Sequence, residues 1–143
     1  METVRLFGGA MYLLRALAVW LVIVCAESVH GALRTVFLAP YVGDFRARQI
    51  SVFTGSLLIL LIAYLFIHWI RAGTTRALIT VGFVWLVLTI LFEFGLGRFV
   101  LGLSWGRLAS DYDIRRGGLM VFGLILLTLS PLIAARLRGL KTG

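Results

Sequence analysis

Glu27, His30, Gly31 and Arg34 fall at i, i+3, i+4 and i+7. That spacing sets a carboxylate, an imidazole and a guanidinium on one helical face. Glu93 and Gly97 repeat part of the pattern further along the chain, with Gly95 and Arg98 beside them. Both carboxylates sit in strongly apolar surroundings. A charge at mid-bilayer costs about 2.5–3.5 kcal/mol on insertion scales, so such groups should face a partner or a wet cavity. Arg34, Arg98 and His30 are the candidate partners. Two readings fit: an ion, proton or anionic-substrate site where two halves of the protein meet, or a pair of Glu–Arg clamps that pin helices together. The polar centre expected from the sequence is therefore Glu27, His30, Arg34, Glu93 and Arg98.

A second cluster lies nearer the ends of the apolar runs. It reads Gly43-Asp44-Phe-Arg46-Ala-Arg48-Gln49 and, later, Trp105-Gly-Arg107 through Asp111-Tyr-Asp113-Ile-Arg115-Arg116. A guanidinium suits bidentate contact with phosphate or carboxylate. Arg46, Arg48, Arg107, Arg115 and Arg116 are thus candidates for binding anions or lipid headgroups; ordinary headgroup anchoring with local Asp–Arg pairs is the preferred account. Asp111 and Asp113 could cap a following helix.

The elements that must position these groups follow from composition. Of 143 residues, 61% are hydrophobic and only 14% charged, against about 45–50% and about 25% in soluble domains. This composition argues against both a soluble globular fold and a disordered chain. Ile50–Ile70 and Gly117–Ala135 are uncharged and long enough to span a bilayer. The two other apolar runs span only if they take Glu27 and Glu93 with them. Four helices are predicted, at about 11–33, 50–71, 77–98 and 117–136. In lipid the backbone must be satisfied within helices or a closed barrel, and the runs do not alternate as barrel strands do. The expected fold is an all-α, integral membrane four-helix bundle in one transmembrane domain. The short 71–76 link predicts antiparallel neighbours. Pro131 falls inside the fourth helix, with Ser130 or Thr128 placed to satisfy the carbonyl it frees.

The halves at about 11–71 and 77–136 resemble each other. Val19-Trp-Leu-Val22 recurs as Val84-Trp-Leu-Val87, Glu27 and Gly31 as Glu93 and Gly97, and Asp44-Phe-Arg46 as Asp113-Ile-Arg115. Two parallel helical-hairpin repeats, related by a pseudo-twofold along the membrane normal, would produce this.

Thirteen of the 14 basic residues are Arg, and net charge is +8. The basic residues cluster at the ends of apolar runs, which favours headgroup anchoring over nucleic acid. Excluding Arg34 and Arg98 as neighbours of carboxylates, the Arg/Lys balance leans towards both termini being cytoplasmic in a bacterial-type plasma (inner) membrane. Arg5 and Arg15 before an apolar stretch outline a signal peptide, but no clean cleavage site follows, and an uncleaved first helix is preferred. Cys25 should pack as a small hydrophobe. His30 and His68 fall near opposite membrane surfaces, which argues against a shared haem, and the His/Cys pattern gives no metal-ligand cluster. No cofactor is expected, and catalysis is less favoured than binding. The function expected is a small transporter or anion/lipid-handling protein. The alternative is a non-catalytic accessory or assembly subunit of a larger membrane complex. Expected partners are membrane lipids and either a second copy or that larger complex.

Overall fold

The computed structural model describes residues 2–110, Asp113, Arg115 and 118–140. It is an all-α bundle with four helices long and apolar enough to cross a membrane. These are α1 (Met11–Val42), α2 (Asp44–Ile70), α3 (Thr75–Val100) and α4 (Met120–Leu137). The first helix begins at Glu2. A short helix, Trp105–Ser110, lies between α3 and α4.

Three helices outrun the expected membrane limits, because a charged residue marks a bilayer surface without ending a helix. From Arg34 the first helix passes through a π-helical stretch, Arg34–Leu38, into a last turn, Ala39–Val42. Pro40 is tolerated there at the start of a turn, where no N–H is required. The chain then reverses at Gly43, whose φ of 88° few side chains would permit. The long polar connection expected after the first helix is thus one residue, and Asp44, Arg46 and Arg48 stand in the first turns of α2. Arg71 ends α2 with φ 58°, and Thr74 caps α3 by accepting the Ala77 N–H at 3.1 Å. The fourth helix is shorter at its start than expected. It begins at Met120 without a side-chain cap. Asp113 shapes the turn that precedes it, accepting the Arg115 N–H on its own Oδ1. Asp111 lies outside the described residues.

The register is fixed by named contacts. The α1–α2 pair is antiparallel, with Arg15 donating to the Trp69 carbonyl at 3.0 Å near one end and His30 meeting Thr54 at 2.7 Å near the other. The α1–α3 pair is parallel. Trp85 Nε1 donates to the Ala16 carbonyl at 2.9 Å, and Trp20 Nε1 to Thr89 Oγ1 at 3.0 Å, both across 69 residues of chain. Besides α1, α2 packs against α4, and α3 packs against α4, while α2 and α3 scarcely approach one another. The short 71–76 link therefore joins antiparallel helices that sit on a diagonal, not the packed neighbours the sequence suggested. A twofold through the bundle would set α1 and α3 on opposite corners, yet they touch. The repeat therefore remains a feature of the sequence.

The core is apolar and tight. Trp85, Leu78, Val81, Ile67, Ile70, Leu127, Ala134 and Ala135 are buried. Gly82 lets α3 ride on α4, since a Cβ there would strike the Thr128 carbonyl. Pro131 is buried within a continuous α4. The Leu127 carbonyl that it frees accepts the Ser130 hydroxyl at 2.7 Å, as the sequence anticipates. Cys25 does not pack inside; it lies exposed on α1.

Because overpacking costs about 1–3 kcal/mol, Gly82→Ala should lower unfolding free energy in mild detergent by that much. Gly95→Ala, where nothing lies within 4 Å of the added Cβ, should leave it unchanged or slightly raised. Equal effects at the two glycines would contradict this packing.

Candidate functional site

Glu27 reaches α2 because Gly55 has no side chain. A Cβ at Gly55 would lie 2.9 Å from Glu27 Oε2 and 3.4 Å from the His30 ring. Gly55 lies five residues into the uncharged run that begins at Ile50, about 7.5 Å by helical rise. The carboxylate therefore sits below the level at which charges leave the helix. Its side chain is 30% exposed and that of His30 is 23% exposed; Glu27 Oε1 is buried with no hydrogen-bond partner.

His30 links Glu27 to α2. Its Nδ1 lies 3.5 Å from Glu27 Oε2 and its Nε2 lies 2.7 Å from Thr54 Oγ1. The Thr54 hydroxyl also lies 3.4 Å from the Ser51 carbonyl, within reach to donate. Two proton arrangements satisfy these atoms. With the hydroxyl directed at Nε2, a neutral imidazole donates from Nδ1 to the carboxylate. With the hydroxyl directed at Ser51, Nε2 must donate, and a second proton is needed between Nδ1 and Oε2. The cluster can gain one proton without a heavy atom moving.

Glu93 and Arg34 complete the centre along the membrane normal. The 69-residue register of the tryptophan bonds sets Glu93 level with Val24, one turn deeper than Glu27, or about 4.5 Å. Arg34 starts nearer the surface and folds back over its own helix, with one terminal nitrogen 3.7 Å from a Cβ placed on Gly31. Its charge acts on both carboxylates and on His30. Among the described residues it forms no ion pair with either Glu within 4.0 Å, and its buried Nε has no hydrogen-bond partner. The clamp reading requires closed Glu–Arg contacts; this geometry leaves a donor and an acceptor open. A π-helical stretch follows each carboxylate, Arg34–Leu38 and Leu96–Val100, a distortion frequent at functional sites.

Below Glu93 the polarity stops. Trp20 bonds Thr89 and meets the Phe92 ring edge-on at 6.2 Å, and Trp85 and Val19 lie beneath, fully or almost fully buried. The polar column therefore enters from the side of the 42–44 and 101–119 connections and ends at an aromatic layer.

Arg98 does not join this centre. It donates to the Leu103 carbonyl at 3.2 Å and lies over the Trp105 ring at 5.3 Å. Trp105 in turn stacks on Phe94. One residue past Gly97, its side chain follows the loop that Leu108 anchors against that glycine. Of the second cluster, Arg48 Nε and Arg107 share Asp44 Oδ2 at 3.1 and 3.3 Å. Arg46 and Arg115 are exposed, and Arg116 lies outside the described residues. His68 is exposed. It stands fourteen residues along α2 from Thr54, about 21 Å from the His30 contact. Among the described residues no three His, Cys, Asp or Glu side chains converge as metal ligands.

Sequence reasoning missed Ser51, Thr54, Gly55 and Thr89. The signal was present in Ser51-x-x-Thr54-Gly55, a small polar stripe inside an otherwise apolar run.

A double-mutant cycle on Trp20→Phe and Thr89→Val should give a coupling of about 0.6 kcal/mol, typical of interhelical hydrogen bonds in membrane proteins. Strict additivity in an unfolding titration would show that this bond does not join the two helices. No family model matches the chain, and no curated protein or solved structure matches it either.

Proposed function

We propose that the protein is a small membrane transporter that handles protons at the Glu27–His30–Thr54 cluster, with Glu93 as the deeper acceptor and Arg34 tuning both. The observation that carries this reading is the His30 bridge. One imidazole touches a carboxylate on its own helix and a hydroxyl on the next, and the set accommodates two protonation states in one geometry. Charge arithmetic supports it too. Two carboxylates share the field of one guanidinium, so a fully ionised centre with neutral His30 carries an excess negative charge.

Access from one side, with aromatic closure below, fits an alternating arrangement better than an open channel. On this reading Trp20 and Thr89 separate when the site is presented to the opposite face. The sequence matches between the halves, and the π-helical stretch after each Glu, support pairing the two carboxylates in function without a twofold in the bundle. A plasma membrane of bacterial type and cytoplasmic termini complete the proposal, resting on the distribution of Arg.

Proteoliposomes loaded with a pH-sensitive dye test it. Under an imposed potential, wild-type protein should move protons, Glu27→Gln should cut the rate at least tenfold, and Glu93→Gln should do the same. Thr54→Val should slow it less, since only one relay oxygen is lost. Helical content and elution volume confirm that each variant folds. Unchanged flux in folded Glu27→Gln, Glu93→Gln protein would refute the proposal.

A further inference from the structure

A second place on the molecule combines charge and apolar surface, independently of the proton-handling centre. Arg46, Ile50 and Phe53 fall at i, i+4 and i+7 on one face of α2. With Gln49, and with Leu119 at the entry to α4, they line an open groove of about 360 Å³. The groove has a direction. Arg46 lies at its end nearest the start of α2, and the floor of Ile50 and Phe53 runs on into the uncharged part of the helix. Phe53 is 67% exposed and Ile50 41% exposed, so the floor is presented outward at membrane depth.

Arg46 differs from its neighbours. Arg48 and Arg107 are engaged with Asp44, whereas Arg46 forms no ion pair with any described carboxylate. A guanidinium without an ion pair among the described residues, set above an apolar slot, is complementary to one class of molecule: a phosphate monoanion or diester joined to a hydrocarbon chain. The guanidinium takes two phosphate oxygens in its fork, and the chain lies along Ile50, Phe53 and Leu119. A zwitterionic headgroup meets the same phosphate site but brings its own cation next to Arg46, which disfavours it.

We propose that this groove is a discrete binding site for one anionic phospholipid per chain. The site holds the lipid against the α2–α4 seam, where Gly123 packs on Val52 at 3.6 Å from an added Cβ. Bound lipid therefore bridges the two helices at the end that carries the polar centre.

Native mass spectrometry of the full chain in mild detergent tests the assignment, with phosphatidylglycerol, phosphatidylcholine of identical chains, and free glycerol phosphate as probes. Wild-type protein should retain a single phosphatidylglycerol, with at least tenfold preference over phosphatidylcholine, and no glycerol phosphate. Arg46→Gln should lower phosphatidylglycerol retention at least fivefold, and Phe53→Ser should lower retention of both lipids. Arg71→Gln, at the other end of α2, and Glu27→Gln should leave it unchanged. Undiminished retention in Arg46→Gln, equal retention of the two lipids, or equal loss in Arg71→Gln would each overturn the site. Retention of glycerol phosphate alone would show a headgroup pocket without the chain slot and would overturn it as well.

Discussion

A carboxylate below the membrane surface needs a neighbour that displaces lipid and offers polar atoms. Gly55 meets that constraint for Glu27. By lacking a side chain it admits the carboxylate against α2, and the same approach brings His30 to Thr54. The α1–α2 register follows: Arg15 at Trp69 and His30 at Thr54 lie on one antiparallel alignment. Once α1 is fixed, the two tryptophans set α3 in parallel beside it, and this determines how deep Glu93 lies. Much of the bundle's vertical alignment descends from one missing methyl group.

The polar and apolar halves of the molecule divide the work. Towards the 101–119 connection the helices carry Glu27 Oε1 and Arg34 Nε, buried without hydrogen-bond partners. Towards the 71–74 turn they pack as close hydrocarbon around Trp85, Leu78, Val81 and Ile67. Gly82 lies close against Thr128 there, and Ser130 satisfies the Leu127 carbonyl. A close-packed apolar floor therefore lies under the polar centre. Both π-helical stretches lie in the opposite, upper helix segments.

The helices and Pro131's compensation were legible because hydropathy and backbone chemistry are local. Helix ends were not. Arg34 and Arg46 mark where water begins, and the backbone between them stays helical until Gly43. The centre was legible in its α1 half, where Glu27, His30 and Arg34 share a face by spacing alone. Its α2 half was not, because Ser51, Thr54 and Gly55 gain meaning only from the helix opposite them. Arg98 misled for a related reason: spacing places it near Glu93, but an aromatic ring and a carbonyl beyond the helix end offer it closer company. Helix order around the bundle was likewise beyond reach. A short link dictates direction and leaves open which flank a helix will choose.

At the far end of α2, two arginines from different helices fasten to the same few residues. Arg15 donates to the Trp69 carbonyl and covers that indole, while Arg138 donates to the Tyr64 carbonyl and lies 4.9 Å from its ring centre. From Arg46 to Trp69 is twenty-three residues of one helix, about 35 Å, close to the hydrocarbon thickness plus the inner edge of each headgroup layer. The protein thus carries its own depth gauge, fastened at both ends to a single rod. A bilayer much thinner or thicker than that rod has to be deformed around it or make the rod tilt. Since the acidic column shares the rod's register, its distance from water is dictated by the thickness of the surrounding lipid.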